Sequence, residues 1–409
     1  MKKPAILILF YLAIVLANLG AFAFIPLLPL FLVEQQAGIA QVGAFFSFLA
    51  FARLILGLTG GWLADTVGHL RGLALGSLTG VFCFVVILLS PSWGWTLAGM
   101  VLIYIASSLT TPTQSAFIAG MVDENRGKAF GLMNTIYGVA QTAAPALGGW
   151  LVTQGGFELL FWTAGTLYTS AAVIRYFLLR RVADTSGGRE RATLGSFRSS
   201  LAGMWTLILA GGVIATMLAL DGFDDTARIL AEVYQPLFLA GAGISIFQIG
   251  IIGALSAAAA TLGNPLSGWL VDRWGEKVPL VLAALGTGIA VAVFVLSRSF
   301  VGFAASWTLI GLGSGLKTTA FDSLISKVVP KQRRGLAYGL FSTAQGLFSL
   351  PMPILGAWLY GYHVRSPFYV AALASLLGAW LVWQKLPGGK IADTSDELPH
   401  SGALEGASA

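Results

Sequence analysis

The sequence predicts an all-helical membrane protein with twelve spanning helices in two six-helix halves. The composition is the first reason: of 409 residues, 56% are hydrophobic and only 10% are charged, whereas a soluble domain carries about 25% charged residues. Long apolar segments and an internal repeat are the other two reasons. Cys83 is the only cysteine, so no disulfide can form within the chain. A soluble enzyme, a disordered chain and a disulfide-stabilised secreted domain are therefore excluded.

Apolar segments between charged or turn-rich breaks define the predicted spans. A spanning helix needs about 20 mainly apolar residues. The first segment is too long for the apolar core of a signal peptide. Spans 1 to 12 are predicted at residues 5–33, 41–64, 70–90, 95–121, 129–153, 158–179, 205–240, 244–271, 278–297, 301–327, 336–361 and 367–384.

The positive charges orient these spans. Eighteen of the 24 Lys and Arg residues lie in alternate breaks, and only Arg298 and Arg365 lie in the others. Positive loops stay in the cytoplasm, so both termini are expected there, in a bacterial inner or other plasma membrane. The net charge of +6 is thus explained by topology and not by nucleic-acid binding.

The same breaks divide the chain into domains. We expect an N-terminal six-helix bundle at 1–179, a flexible cytoplasmic linker at 180–203, a C-terminal bundle at 204–385 and a disordered tail at 386–409. The linker is the longest polar break and lies at the middle of the chain.

The two predicted halves repeat one another. Residues 61–68 read GWLADTVG and residues 268–275 read GWLVDRWG, which gives five matches in eight at an offset of 207. Residues 29–31 match 236–238 at the same offset, and Arg126, Gly131, Pro145, Gly148 and Trp150 recur 208 residues later. Parallel repeats of this kind place a substrate site at their interface near the middle of the bilayer.

These residues resemble the major facilitator superfamily along nearly the whole chain. The break between spans 2 and 3 is similar to the family's G-x-L-a-D-r-x-G-r-k signature, with Thr66 where a basic residue is usual, and the break between spans 8 and 9 carries a second copy. The resemblance implies that these loops gate the transporter on the cytoplasmic side. The predicted gating residues are Gly61, Asp65, Gly68, Arg71, Arg126, Gly268, Asp272, Arg273, Gly275, Lys277 and Arg334.

Span 5 carries a second motif, Ala140-x-x-x-Ala144-Pro145-x-x-Gly148-Gly149. It is similar to the signature of the family's proton antiporters, with alanine at both leading glycine positions. Small residues and proline allow helices to approach closely and to bend. Because span 11 holds the related Pro353 and Gly356, a symmetric helix hinge at Pro145, Gly148, Gly149, Pro353 and Gly356 explains both elements equally well.

Span 7 contains the densest group of charges. Asp221, Asp224, Asp225, Arg228 and Glu232 share one helical stripe, and ionisable residues inside a membrane are functional candidates. Desolvated carboxylates can take up protons near neutral pH, so the four acids are predicted to couple transport to protons. Two placements remain open, the middle of the membrane and the extracellular mouth.

Other charged or polar residues within spans are candidates for the substrate cavity. Arg53 has no acid within one turn, and Lys317 can counter a span-7 acid. A solvated or snorkelling role is expected for Glu34 and Arg175 near span ends, and a structural role for Asp322. The predicted cavity residues are Arg53, Arg228, Lys317, Asn18, Gln114, Asn134, Tyr137 and Gln141.

The leading interpretation is a proton-coupled transporter that exports amphiphilic or cationic small molecules by alternating access. An uptake carrier for an anionic metabolite, a lipid or lysolipid transporter, and a non-transporting sensor are the alternatives. No catalytic constellation, phosphate loop or metal-ligand spacing occurs in the sequence, so we expect no enzyme activity, cofactor or metal. The expected partners are substrate, protons and the bilayer, and the chain is expected to be a monomer.

Overall fold

A computed structural model describes residues 3–67, 69–122, 126–181, 212–329 and 334–389. These residues form helices joined by short turns and contain no strand. Helix is the expected outcome, because an apolar chain in lipid must satisfy its backbone hydrogen bonds internally.

The first half contains spans 1 to 6. Span 1 is Lys3–Phe24, continued by a 3-10 turn at Ile25–Leu27 and a helix at Leu28–Glu34. A proline in each of the two short elements interrupts the ladder of hydrogen bonds. The remaining helices are Ile39–Val67, His69–Leu88, Trp93–Met121 and Arg126–Arg181. The last of these holds spans 5 and 6, which separate at Gly155 and Gly156, where Gly156 has φ 69°.

The second half contains spans 7 to 12. Its helices are Gly212–Gly241, Ile246–Trp274, Lys277–Leu296, Phe300–Val328, the pair Arg334–Ser349 and Met352–Tyr362, and Ser366–Lys385. The pair forms span 11, with its break at Leu350 and Pro351. A capping box of Ser245 and Gln248 begins span 8.

Eight helical segments of the described chain are long and apolar enough to cross a membrane. One of them, Gly127–Leu178, is 52 residues long and contains both span 5 and span 6. Spans 7, 10 and 11 fall outside this set. Charges interrupt span 7, and a helix break divides span 11. The predicted linker at 180–203, apart from residues 180 and 181, and the predicted tail, apart from residues 386–389, lie outside the described residues.

Residues that correspond in the sequence repeat make the same packing contacts in the two halves. Phe31 lies 4.6 Å from Phe161 between ring centroids, and their counterparts 207 positions later, Phe238 and Phe368, lie 5.0 Å apart. Each pair joins the first span of its half to the last. The repeated sequence therefore builds the same aromatic core twice.

The halves contact one another through a second repeated pair. A Cβ added to Gly43 in span 2 would lie 2.6 Å from the carbonyl oxygen of Pro353 in span 11. A Cβ added to Gly250, the counterpart of Gly43, would lie 2.4 Å from the carbonyl oxygen of Pro145, the counterpart of Pro353. Only glycine permits these approaches, which lie toward the extracellular ends of the spans.

Further contacts between the halves lie at the middle of the helices. Gly346 packs on Leu54, and Gly138 lies near Thr261. Closer to the cytoplasmic ends, a Cβ added to Gly127, Gly131 or Gly268 would meet nothing within 4 Å. These close approaches between the halves, made through their glycines, therefore lie toward the outside and the middle of the spans.

Candidate substrate and proton site

A cavity of about 870 Å³ lies between the two halves. Pockets for drug-sized ligands occupy about 300–1,000 Å³, so its size suits a small organic molecule. Phe22, Phe46, Leu49 and Trp307 give the wall a large apolar surface. The polar and charged residues on the wall include Arg53, Tyr104, Gln141, Asp224, Arg228, Glu232, Gln235, Gln345 and Ser349.

The charged stripe of span 7 lies in the middle of its helix. Glu232 is nine residues from the end of the helix at Gly241, which corresponds to about 14 Å at 1.5 Å per residue. Asp221 and Asp225 are buried at 3% and 1% exposure, whereas the Glu232 side chain is 52% exposed. The stripe thus extends from side chains that are buried between helices to side chains that are exposed at the cavity wall.

Two cations bridge the four carboxylates. Arg228 lies 2.5 Å from Asp225 and 3.0 Å from Glu232. Lys317 of span 10 lies 2.6 Å from Asp221 and 2.7 Å from Asp224. When all six groups are ionised, the cluster carries a net charge of −2.

Span 11 adds two neutral contacts that the sequence did not single out. Ser349 donates a hydrogen bond to Asp225 at 2.6 Å, and Gln345 donates to Asp221 at 3.4 Å. Both residues face span 7 from the segment just before the helix break. Their spacing of four residues places them on one face of the helix, which is the signal that could have identified them.

Arg53 projects into the cavity from span 2. Among the described residues, no Asp or Glu lies within ion-pair distance of it. The neighbouring cavity residue on span 4 is Tyr104. Arg53 is therefore an exposed cation that is available to a ligand.

Five predicted cavity residues lie off the cavity wall. Lys317 is held by its two acids below the surface. Asn134 is exposed elsewhere on span 5. Asn18 donates to the Ile14 carbonyl, and Tyr137 donates to Gln114 at 2.9 Å. These contacts are internal to the first half, since spans 1, 4 and 5 turn these side chains toward each other.

The expectation of a solvated Arg175 is wrong. Arg175 is 2% exposed and donates to Ser77 at 3.2 Å. It also contacts the hydroxyl of Tyr168, and its Nε has no hydrogen-bond partner. The sequence placed it four residues from the predicted end of span 6, but spans 3 and 6 pack together there and exclude water.

The helix hinge at Pro145 stays a prediction. The helix Arg126–Arg181 has non-helical torsion angles only at Gly155 and Gly156, so it continues through Pro145. Gly148 instead packs against the Ala23 carbonyl of span 1, and Gly356 packs against Tyr234 of span 7. Gly149 packs against Ile246 of span 8. These residues are sites of close helix contact, and the break in span 11 comes before Pro353.

The gating loop of the first half is described only in part. Gly61 and Asp65 belong to the helix of span 2, and Arg126 begins span 5. Gly68 lies outside the described residues. Arg71 is exposed. The gating role of these residues stays a prediction.

In the second half, the predicted gating residues do not contact one another. Asp272 is exposed. Arg273 stacks on Trp269 and Trp274, and Lys277 stacks on Trp383. Arg334 donates to the carbonyls of Ser326 and Val329, and Gly275 forms a turn at φ 83°. The part predicted for these residues in a cytoplasmic lock likewise stays a prediction.

Glu276 forms the ion pair that the sequence did not predict at this end of the molecule. Its carboxylate lies 2.6 Å from Lys327 and accepts from Ser323 at 2.9 Å. Burial would raise the pKa of this carboxyl, but the hydrogen bonds from Lys327, the backbone and Ser323 outweigh burial and hold the pKa below its ordinary value. The contact joins the loop before span 9 to the end of span 10.

Comparison with known sequences identifies relatives over nearly the whole chain. A family profile described as Major Facilitator Superfamily matches residues 10–235 and 223–401. A class G tetracycline resistance protein of Vibrio anguillarum is 26% identical, with 95% of each chain covered. A quinolone resistance protein of Staphylococcus aureus is 23% identical over 91% of this chain and 94% of its own.

Solved structures share the fold. A bacterial homologue of the iron transporter ferroportin, in an inward-facing state, superposes with a TM-score of 0.77 at 19% identity and covers 94% of this chain and 99% of its own. A D-xylose-proton symporter superposes with a TM-score of 0.71 at 16% identity, with 94% and 97% covered. At these identities the likeness concerns the fold alone.

Proposed function

The chain belongs to the major facilitator superfamily, and from this premise we propose that it is a proton-coupled antiporter that exports amphiphilic, cation-bearing small molecules. The observation that carries the proposal is the charge imbalance on span 7. Four carboxylates share two cations, and two of these carboxylates, Asp224 and Glu232, line the cavity. Transport through the plasma membrane by a multi-pass protein follows from the family.

The imbalance provides the coupling. A cluster with a net charge of −2 beside the cavity is stabilised by any added positive charge. A proton on a carboxylate and a cationic group of the substrate both supply that charge, so each weakens the binding of the other. Such reciprocal coupling between two ligands is the requirement for exchange.

The positions of the four acids allow substrate and protons to compete for the cluster, one at the cavity wall and the other behind it. Glu232 and Asp224 reach the cavity and meet the substrate. Asp221 and Asp225 lie behind them and share their cations. A substrate that draws Glu232 away from Arg228 leaves that cation to Asp225 alone, and a proton on Asp225 reverses the shift.

The names of the relatives support export. Two relatives are named as tetracycline and quinolone resistance proteins, and a relative from Lactococcus lactis, 22% identical over 82% of this chain, is named as a homolog of a multi-drug resistance efflux pump. An inward proton gradient drives an antiporter's substrate outward. The alternative, an uptake carrier for an anionic metabolite, needs Lys317 to bind the anion. Because Lys317 is already paired with two acids, this alternative has less support.

The test uses everted membrane vesicles energised with a pH gradient, to which ethidium is added as a lipophilic cation. Addition of ethidium to vesicles with the wild-type protein should dissipate the pH gradient. With Asp225→Asn, the dissipation should be at least tenfold smaller. Asp322→Asn is the matched control. Asp322 is an acid of span 10 that lies outside the cluster, and its hydrogen-bond partner among the described residues is Tyr338.

Failure of the wild-type protein to respond to any cation would overturn proton-coupled export of cations. Equal loss in Asp225→Asn and Asp322→Asn, at equal protein abundance, would remove span 7 as the site of coupling.

A further inference from the structure

The two walls of the cavity carry opposite charges. On the first half, Arg53 is the exposed cation, and no described acid pairs with it. On the second half, the cluster has two carboxylates more than it has cations. A ligand between the walls therefore meets a positive group on one side and a negative field on the other.

The charged groups lie at matching depths. Arg53 is fourteen residues after the outer end of span 2 at Ile39, which corresponds to about 21 Å. Glu232 and Asp224 are nine and seventeen residues before the outer end of span 7, which corresponds to about 14 and 26 Å. Arg53 thus faces the stripe between its two cavity-lining acids.

From this arrangement we infer that the preferred substrates are zwitterionic amphiphiles, with a basic amine and an acidic oxygen on one apolar body. The acid group binds Arg53, and the ammonium binds Glu232 or Asp224. The apolar body packs on Phe22, Phe46 and Trp307. This inference rests on the proposed function and narrows its substrate class.

Selectivity follows from the cost of leaving a charge without a partner. A simple cation satisfies the acids, but its apolar body displaces the water that solvates Arg53 and supplies no anion in return. A simple anion satisfies Arg53 and adds negative charge beside the cluster. A zwitterion avoids both penalties, and a difference of this kind between competing ligands is specificity.

Three forms of one quinolone provide matched probes. Norfloxacin carries a piperazine amine and a carboxylate, its methyl ester keeps the amine alone, and its N-acetyl derivative keeps the carboxylate alone. Transport of each is measured by fluorescence in everted vesicles from cells producing the protein. The wild-type protein should move norfloxacin at least tenfold faster than either derivative.

Variants at Arg53 test whether its charge determines the preference for norfloxacin over its methyl ester or only the overall rate of transport. Arg53→Gln should lower norfloxacin transport at least tenfold and leave transport of the methyl ester unchanged or higher. Arg53→Lys should restore most of the preference, because it keeps the charge. Arg175→Gln is the matched control, since it removes an arginine of the same half that is buried away from the wall, and it should leave the ratio unchanged.

The outcomes distinguish the two proposals. Equal transport of norfloxacin and its methyl ester, or an equal loss of both in Arg53→Gln, overturns the zwitterion preference while cation export stands. An absence of pH-dependent transport for every probe, together with no response to ethidium, overturns the proposed function and this inference with it.

Discussion

Lys317 reaches from span 10 to Asp221 on span 7, with 2.6 Å between its ammonium nitrogen and the carboxylate. The same ammonium lies 2.7 Å from Asp224, one helical turn further along. One lysine therefore compensates two acids of a neighbouring helix. It joins span 10 to span 7 at a point where span 7 forms part of the cavity wall.

Removal of Lys317 should destabilise the protein. Lys317→Met leaves Asp221 and Asp224 without their cation, and breaking a buried pair from one side costs about 3–5 kcal/mol. We expect a clearly lower midpoint of thermal unfolding in detergent. The double variant Lys317→Met with Asp221→Asn should recover part of the loss, and no recovery would show that the lysine stabilises by packing alone.

Removal of Arg175 should have a smaller effect. Arg175→Gln leaves behind the neutral hydroxyls of Ser77 and Tyr168 and no described carboxylate. A buried neutral group left without its partner costs about 1–3 kcal/mol, so the loss of stability should be smaller than that of Lys317→Met. The measurement is thermal unfolding of Arg175→Gln and of Lys317→Met under the same conditions. A loss as large as that of the lysine variant would reveal an acidic partner outside the described residues.

The outer contact between the halves can be tested at one glycine. A Cβ at Gly43 would lie 2.6 Å from both the Pro353 oxygen and the Ala357 Cβ, so Gly43→Ala should disfavour closure on the outside. Spin labels at Glu34→Cys and Tyr362→Cys report the separation by double electron–electron resonance. Cys83 is buried and should remain unlabelled.

We expect a new population at longer distance in Gly43→Ala. Gly57→Ala on the same helix serves as the control, because a Cβ there would meet nothing within 4 Å. Identical distance distributions for both variants would contradict the assignment of Gly43 to the outer closure.

Glu276 should make stability depend on acid pH. Its pKa is held below the ordinary value near 4.5, so its stabilising contribution is full above that value and is lost as the pH falls through the lower, native pKa. Glu276→Gln should therefore lower the unfolding midpoint at pH 7 and should flatten its decline in acid.

Thermal unfolding between pH 3 and pH 7 is the measurement. Glu158→Gln is the control, since Glu158 is exposed and should change neither the midpoint nor its slope. A parallel shift of the Glu276→Gln curve at every pH would show that the effect is not electrostatic.

The sequence by itself determined the membrane fold, the number and order of spans, and the repeat. Each follows from composition and local pattern, because an apolar segment of sufficient length in lipid has few alternatives to a helix. The stripe of Asp221, Asp224, Asp225, Arg228 and Glu232 was likewise readable, since helical periodicity places those residues together.

Tertiary structure decided which distant residues meet the stripe. Lys317 is 96 and 93 residues from its two acids, and Ser349 is 124 residues from Asp225, so no local pattern pairs them. Arg175 and Arg53 look alike in sequence, as single arginines within apolar spans. One is buried between packed helices and the other faces the cavity, because the rotation of a helix about its axis is set by its neighbours. Local pattern fixes where a helix forms, and only packing fixes what each face touches.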